Sequence, residues 1–413
     1  MTQGGTNLPR VGGYNQAVVL DAIRTAGSVS RVELAPLTGL TVQTVSNVVR
    51  RLLEAGLVSE SGQAPSGGGK PRTLLSPRPE GAYAVGVQLD PDAAVSVLVD
   101  LSGVVLARRR TRLAGLTDPK DVVARCAAAV KRLVAGAELG SGRLLGLGVA
   151  VPGPLDGPAD AVVSPPNFPS WGRVPLRDMF AGVTGMDVAM NNDATAAAIG
   201  ERWIGGRARA GSFLFIYMGT GIGAGIVLNN TVLYGDSGNA GEFGHMAVEP
   251  GPLVCQCGAN NCLGPYVRPH AVLAELSERH GAEAARRIGL SGAPGAVSAD
   301  WKLLRRAVRK GDPAAEEVVR RAARRVGQAA RGTVAMLDVS QVVVGGEALH
   351  GIEPLMLEEI EAAVNTTSVT RALRKVAVQR SVIGDAVGAV GAASLVLHGN
   401  YAPGWRMLTR PGS

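Results

Sequence analysis

One histidine and three cysteines crowd a single stretch, HMAVEPGPLVCQCGANNCLG at 245–264, in a chain whose one other cysteine is Cys126. The spacing is His245-x9-Cys255-x-Cys257-x4-Cys262. An imidazole and three thiols so placed could form a disulfide, a redox pair or a metal site. A disulfide would leave one thiol over and is disfavoured in a reducing compartment. Redox pairs are more often Cys-x-x-Cys beside a helix start. Cys₃His is a donor set that suits a closed tetrahedral zinc site, one ion per chain, structural because it has no open position for substrate. Cys126 falls on the apolar face of a helical segment and reads as core.

Composition bounds what can hold such a loop. The 413 residues are 46% hydrophobic and 18% charged, a globular balance with room for two or three domains. Aromatics at 4% are too few for a base-stacking surface, and a net charge of +8 is compatible with an anionic partner such as DNA. The start, MTQGGTNLPR, has no signal-peptide core. With so few cysteines, a cytoplasmic location is expected. The longest uncharged run, Ala210 to Gly235, is interrupted by MGTGIGAG and LNNT and reads as two short hairpins, so no membrane partner is expected.

Residues 1–76 have their own character. YNQAVVLDAIRTAG has helical spacing and stops at Gly27; Ser30 and Glu33 form a capping box for a second helix ending at Gly39; Thr41 caps a third that ends near Gly56. Pro36, past the first turn of the second helix, predicts a short or bent element. SGQAPSGGGKPRTLLS then reads as a hairpin with a glycine-rich tip, completing a winged helix-turn-helix. The third helix would enter the major groove with Thr41, Gln43, Thr44, Ser46 and Asn47 toward base edges or phosphates. Arg50 and Arg51 suit phosphates, and Lys70 and Arg72 on the wing suit backbone or minor groove. A partner of double-stranded operator DNA follows.

Residues 77–82 read as a linker, and from 83 the pattern becomes α/β. Two segments each begin with a strand meander and a glycine turn, 83–200 and 201–413, which suggests the duplicated two-lobed fold of actins and sugar kinases. The second carries the cysteine loop and is expected to dimerise, and its last helix is expected to return to the first lobe.

In this order and spacing, SPPNFPSW, NNDATAAAIGE, MGTGIGAGIV, GEFGHM, CQCGANNC and VVVGGEAL resemble the ROK family (repressors, open reading frames, kinases), specifically its winged-helix regulators of sugar metabolism. The resemblance covers nearly the whole chain and implies zinc at His245, Cys255, Cys257 and Cys262. It implies a sugar or sugar-derived effector held by Asn192, Asp193, Glu242 and His245, with Asn167 at the edge of the site. Asp193 matches the general base of the family's kinases. It implies a transcriptional regulator, in the first instance a repressor, acting as a homodimer or homotetramer and altering operator affinity on effector binding. Two departures matter. Gln88, Asp90, Pro91 and Asp92 stand where kinases carry an Asp-x-Gly-Gly-Thr phosphate loop; Pro91 lacks an N–H and the added carboxylates repel phosphate, so the chain is expected not to be an enzyme. Gly264 stands where a glutamate touches the sugar, which leaves the effector open. The alternatives are a residual ATP-dependent sugar kinase, or a regulator controlled by a protein partner with a vestigial sugar site.

Overall fold

In the N-terminal segment, side-chain oxygens start the helices where the sequence pattern places them. This computed structural model describes residues 8–64, 71–137, 139, 143–157, 161–366 and 372–403. Helix α1 (Leu8–Ala26) is followed by a short strand β1 (Val29–Ser30) and α2 (Arg31–Thr38). Ser30 Oγ accepts from the Glu33 N–H while Glu33 accepts from the Ser30 N–H, the reciprocal pairing of a capping box. Gly39, with φ 68°, turns the chain, and Thr41 caps α3 (Val42–Glu54) by accepting from the Thr44 N–H. Helix α2 is short and contains Pro36. Val45, Val48, Val49 and Leu52 of α3 are buried, against α1 and α2. Strands β2 (Val58–Ala64) and β3 (Arg72–Pro77) form the wing, in a sheet of order β1-β3-β2.

Contacts divide the chain into two compact units. One comprises Met1–Asn191, Ile199–Ala210 and Ala389–Ser413; the other comprises Asn192–Ala198 and Gly211–Gly388.

The first unit joins the winged helix to a five-stranded sheet. Its meander is β4 (Tyr83–Leu89), β5 (Ala93–Asp100) and β6 (Val105–Arg112). Helix α4 (Pro119–Ala135) follows, then β7 (Leu144–Val151), which lies parallel to β4. Strands β8 (Leu155–Asp156), β9 (Ala161–Val163) and β10 (Arg173–Val174) make a small separate sheet. Next come α5 (Leu176–Thr184) and β11 (Val188–Asn192), giving the large sheet its order β11-β7-β4-β5-β6. Cys126 of α4 is fully buried in this core, as the sequence implied.

Helix α6 (Asp193–Ile204) has its first residues, to Ala198, in the second unit and the rest in the first, and the sheet of the second unit repeats the same connections. Its meander is β12 (Phe213–Met218), β13 (Ile222–Leu228) and β14 (Thr231–Val232), the hairpins expected of the uncharged run. After the cysteine loop come α7 (Gly264–Val267), α8 (Pro269–Arg287), α9 (Val297–Arg309) and α10 (Pro313–Leu337). Strand β15 (Gln341–Gly345) lies parallel to β12, and α11 (Glu353–Thr366) and β16 (Ala377–Arg380) complete the order β14-β13-β12-β15-β16. Both sheets therefore pair a three-stranded meander with a parallel fourth strand, the duplication that the sequence pattern suggested.

The last helix, α12 (Val387–Tyr401), packs on the first sheet. A Cβ at Gly86 would meet the Ala389 carbonyl at 2.0 Å, and one at Gly148 would meet the Ala392 carbonyl at 1.7 Å, so these strands accept the helix because they lack side chains there. Among the described residues no helix is long and apolar enough to cross a membrane.

Candidate functional site

The cysteine loop is built by backbone pairing around a tight turn. The Cys255 N–H donates to the Ala259 carbonyl at 2.7 Å and the Gly258 N–H to the Cys255 carbonyl at 2.8 Å, closing a tight turn that contains Cys257. A bridge between Ala247 and Cys262 brings the third cysteine back beside the histidine segment. Tyr266 Oη staples the loop by donating to the Asn260 carbonyl at 3.1 Å and accepting from the Leu253 N–H at 3.2 Å.

His245 Nδ1 lies 3.6 Å from Cys255 Sγ and 3.7 Å from Cys262 Sγ, and Cys257 Sγ lies 3.4 Å from Cys262 Sγ. All four donor atoms fall within 4.8 Å of one another. A tetrahedral zinc with ordinary bond lengths needs sulfur–sulfur edges of about 3.8 Å and sulfur–nitrogen edges of about 3.5 Å. The donor set and its spacing thus fit a metal ion, and none of the three cysteines is in a disulfide. The Ala259 N–H pointing at Cys257 favours its thiolate, the form a metal takes.

The other ring nitrogen of His245 faces away from the thiols. Nε2 lies 4.0 Å from Glu242 Oε2, so one imidazole joins the thiol cluster to a carboxylate. A second carboxylate stands beside it at the start of α6. Asp193 is pushed up to about 6 by burial, with the negative charge of Glu242 adding to the shift. It is placed by two contacts. Asn192 Oδ1 accepts from the Thr195 N–H at 2.7 Å, capping α6, and Asp193 Oδ1 accepts from the Ala194 N–H at 2.9 Å. The first turn of α6 lies close on β13: a Cβ at Gly225 would meet the Ala194 carbonyl at 2.5 Å.

The structure brings together four of the five residues expected at the effector site, in the second unit. Asn192 is buried and uses its carbonyl oxygen as a helix cap, while Asp193, Glu242 and His245 are linked by charge and contact. Asn167 belongs to the first unit, inside a turn closed by the Phe168 N–H donating to the Pro165 carbonyl at 2.9 Å. In the winged helix, Gln43, Asn47, Arg50 and Arg51 are exposed and Ser46 is half-buried. Thr41 and Thr44 spend their hydroxyls on each other, 2.9 Å apart, at the helix cap. Arg72 is exposed at the start of β3, and Lys70 lies outside the described residues.

Gln88 lies near the end of β4, and Asp90, Pro91 and Asp92 form the β4–β5 turn. Gln88 Nε2 donates to Asp90 Oδ2 at 2.9 Å, and the Asp92 carbonyl accepts from the N–H groups of Leu113 and Ala114.

Sequence reasoning missed a buried charged cluster where α1 meets the first lobe. Arg24 donates to the carbonyls of Arg202 and Trp203 at the end of α6, pairs with Asp21, and lies 4.4 Å over the Trp203 ring. Asp21 also accepts from Arg202 at 2.8 Å. Burial pushes the Asp21 carboxyl up, but Arg24 and Arg202 outweigh it and hold it below the usual range. Burial, then the charge of Arg24, pushes His398 of α12 down to about 4. The available signal was an Asp and an Arg, three positions apart, interrupting an apolar helical segment.

Similarities to known proteins agree with this architecture. The ROK family profile matches residues 84–398, and the MarR family profile matches residues 8–66. The xylose repressor of Caldicellulosiruptor bescii is 26% identical over 385 residues, 93% of this chain and 95% of that protein. A solved ROK family transcriptional regulator, a homologue of the Escherichia coli Mlc protein, matches with a TM-score of 0.74 at 23% identity, over 96% of this chain and 98% of its own. The ROK glucokinase of Streptomyces griseus, solved with glucose and AMPPNP, matches with a TM-score of 0.64 at 29% identity, over 76% of this chain and 99% of its own. The fold is thus a MarR-type winged helix followed by an actin-like, sugar-kinase-like domain. The chain belongs to the ROK family.

Proposed function

We propose that this chain is a DNA-binding transcriptional regulator, a repressor, whose kinase-like domain binds a sugar or sugar-derived effector that alters operator affinity. The observation that carries the reading is one chain holding both parts. A winged helix with an exposed polar recognition face is fused to a ROK domain, and a curated repressor matches it nearly end to end. Reading a two-fold operator needs two helix-turn-helix units, so the working form is a homodimer or homotetramer, in the cytoplasm.

The effector's hydroxyls would meet Asp193, Glu242 and the Nε2 edge of His245, a mixture of acceptors and a donor suited to a polyol. Asn192 serves this site by capping α6, and Asn167 is assigned to its edge on the resemblance alone. Zinc held by His245, Cys255, Cys257 and Cys262 would supply four bonds that fix the loop, and with it the imidazole that faces Glu242. Coupling to DNA is supported by α6 itself. Asp193 opens the helix and Arg24 of α1 caps its other end, so a shift at one end is felt at the other. The effector acts as a switch to the extent that it binds two arrangements of this helix with different affinity.

Catalysis is not part of the reading. The turn at Asp90, Pro91 and Asp92 offers carboxylates where a nucleotide's phosphates would lie. The match to a glucokinase keeps one test necessary: purified chain with ATP and a panel of hexoses and pentoses, in which turnover at ordinary kinase rates would overturn the assignment. The regulator reading is tested by genome-wide DNA capture. Enrichment at genes of one sugar pathway supports it, and no enrichment anywhere refutes it.

A further inference from the structure

We infer that the effector is an acidic polyol, a sugar carboxylate or sugar phosphate, whose anionic group is received by Arg268. This rests on the effector reading above and names the ligand class of that same site.

Arg268 stands at the N-cap of α8 but makes no side-chain cap. Its guanidinium lies over bare backbone. A Cβ on Gly264 would sit 3.6 Å from both Nε and Nη2 of Arg268, and 3.2 Å from the carbonyl of Gly244. Gly244 immediately precedes His245 on the short turn that Glu242 caps, so the guanidinium and the backbone of that turn flank the same spot over Gly264. Its Nε is buried with no hydrogen-bond partner, and no ion pair to Arg268 is found among the described residues. A buried donor left unmade is costly, more so when it carries charge.

The surroundings sharpen the need for an anion. Arg268 is a cation at the positive pole of α8, whose first turn has no acidic residue. His270, two positions on, is held below the ordinary imidazole range by burial and then by the charge of Arg268. An incoming carboxylate or phosphate would take the guanidinium's parallel N–H groups as a fork and lie against the start of α8. A neutral sugar can use Asp193, Glu242 and His245 but leaves Arg268 as it was. Gly264 makes the geometry possible, because any longer side chain there would compete for the space between Arg268 and Gly244.

The test is calorimetric titration of the full chain with glucose and xylose against glucuronate, gluconate, xylonate and glucose phosphate, with inorganic phosphate alone as a control. The acidic members are expected to bind at least about tenfold tighter than the neutral ones, and the carboxylate and phosphate arms tell the two sources apart. Arg268→Gln should remove that preference, Arg268→Lys should keep part of it, and Gly264→Glu, which gives Arg268 an internal partner, should also remove it. Operator binding without effector is expected to be unchanged in all three. Neutral sugars binding as tightly as acidic ones, with Arg268→Gln indifferent, would overturn this inference and leave the sugar-effector reading standing. Inorganic phosphate binding as tightly as the sugar derivatives would reduce Arg268 to an adventitious anion site and overturn it too. No binding by any member would overturn both.

Discussion

Replacing Arg24 by Met keeps an unbranched apolar side chain and removes the guanidinium, whose carbon lies 4.4 Å over the Trp203 ring, so it isolates what that group contributes at the junction of α1 and α6. Side-chain exposure is 7% for Arg24, 21% for Asp21 and 7% for Arg202, so the cluster is well shielded from water. Removing one member of a buried pair costs about 3–5 kcal/mol. Arg202 stays on Asp21 and pulls the figure to the low end, while two helix-end carbonyls lose a donor at about 1 kcal/mol each. The balance is about 3–4 kcal/mol, which is a loss of more than about a hundredfold in the local opening equilibrium. Because the chain has two compact units, a single melting curve is the wrong readout. Hydrogen exchange of the amides in α1 and the last turn of α6 is the right one. In Arg24→Met both segments should lose about two orders of magnitude of protection, and operator affinity should stop responding to effector while effector affinity is retained. Asp21→Asn should lose at least as much, since it leaves two buried guanidiniums facing each other without their shared carboxylate. Unchanged protection in both segments, or an unchanged effector response, would refute the claim that Arg24 ties α1 of the winged helix to α6.

Three further outcomes follow from the site. Cys257→Ala should lose bound zinc by elemental analysis and weaken effector response through His245; unchanged metal content would sink the metal assignment. Asp193 is a carboxyl whose folded pKa, about 6, lies above its unfolded value. Its stabilisation is therefore full below the ordinary carboxylate pKa and is lost as pH rises through about 6, by about 3 kcal/mol in all. The difference in chemical stability between Asp193→Asn and the parent chain should grow in favour of the variant over that window, and a flat difference would contradict the desolvation. In the winged helix, Gln43→Ala or Asn47→Ala should relax base preference, each base contact being worth about 1–3 kcal/mol. Arg50→Ala should weaken all sequences alike and lower the salt slope by about one. Equal effects of all three on cognate and random DNA would remove α3 from base readout.

Much of the local structure was legible because the sequence signals act within a few residues. The Ser30–Glu33 box, the Thr41 cap, the glycine turn at Gly39 and the meander strands depend on neighbours, and each appears where the pattern puts it. The metal ligands were legible for a chemical reason, since few other residue sets supply three thiols and an imidazole at that spacing. Asn192 shows the limit of such reading, since no spacing rule disclosed that its oxygen caps α6.

What the sequence alone determined, then, is the order of elements, the winged helix, the duplicated lobe pattern and the cysteine donor set, all governed by short-range preference or by donor chemistry. Tertiary structure decided what depends on residues distant in the chain. Asp21, Arg24 and Arg202 are ordinary surface charges by type and become a buried cluster because α1 packs on the end of α6. His245 turns one nitrogen to the thiols and the other to Glu242 because the loop folds back through Ala247 and Cys262. Arg268 stands over Gly264 because α7 and α8 meet there. Burial and electrostatic pairing are sums over neighbours in space, and the chain order does not specify those neighbours until the fold has formed.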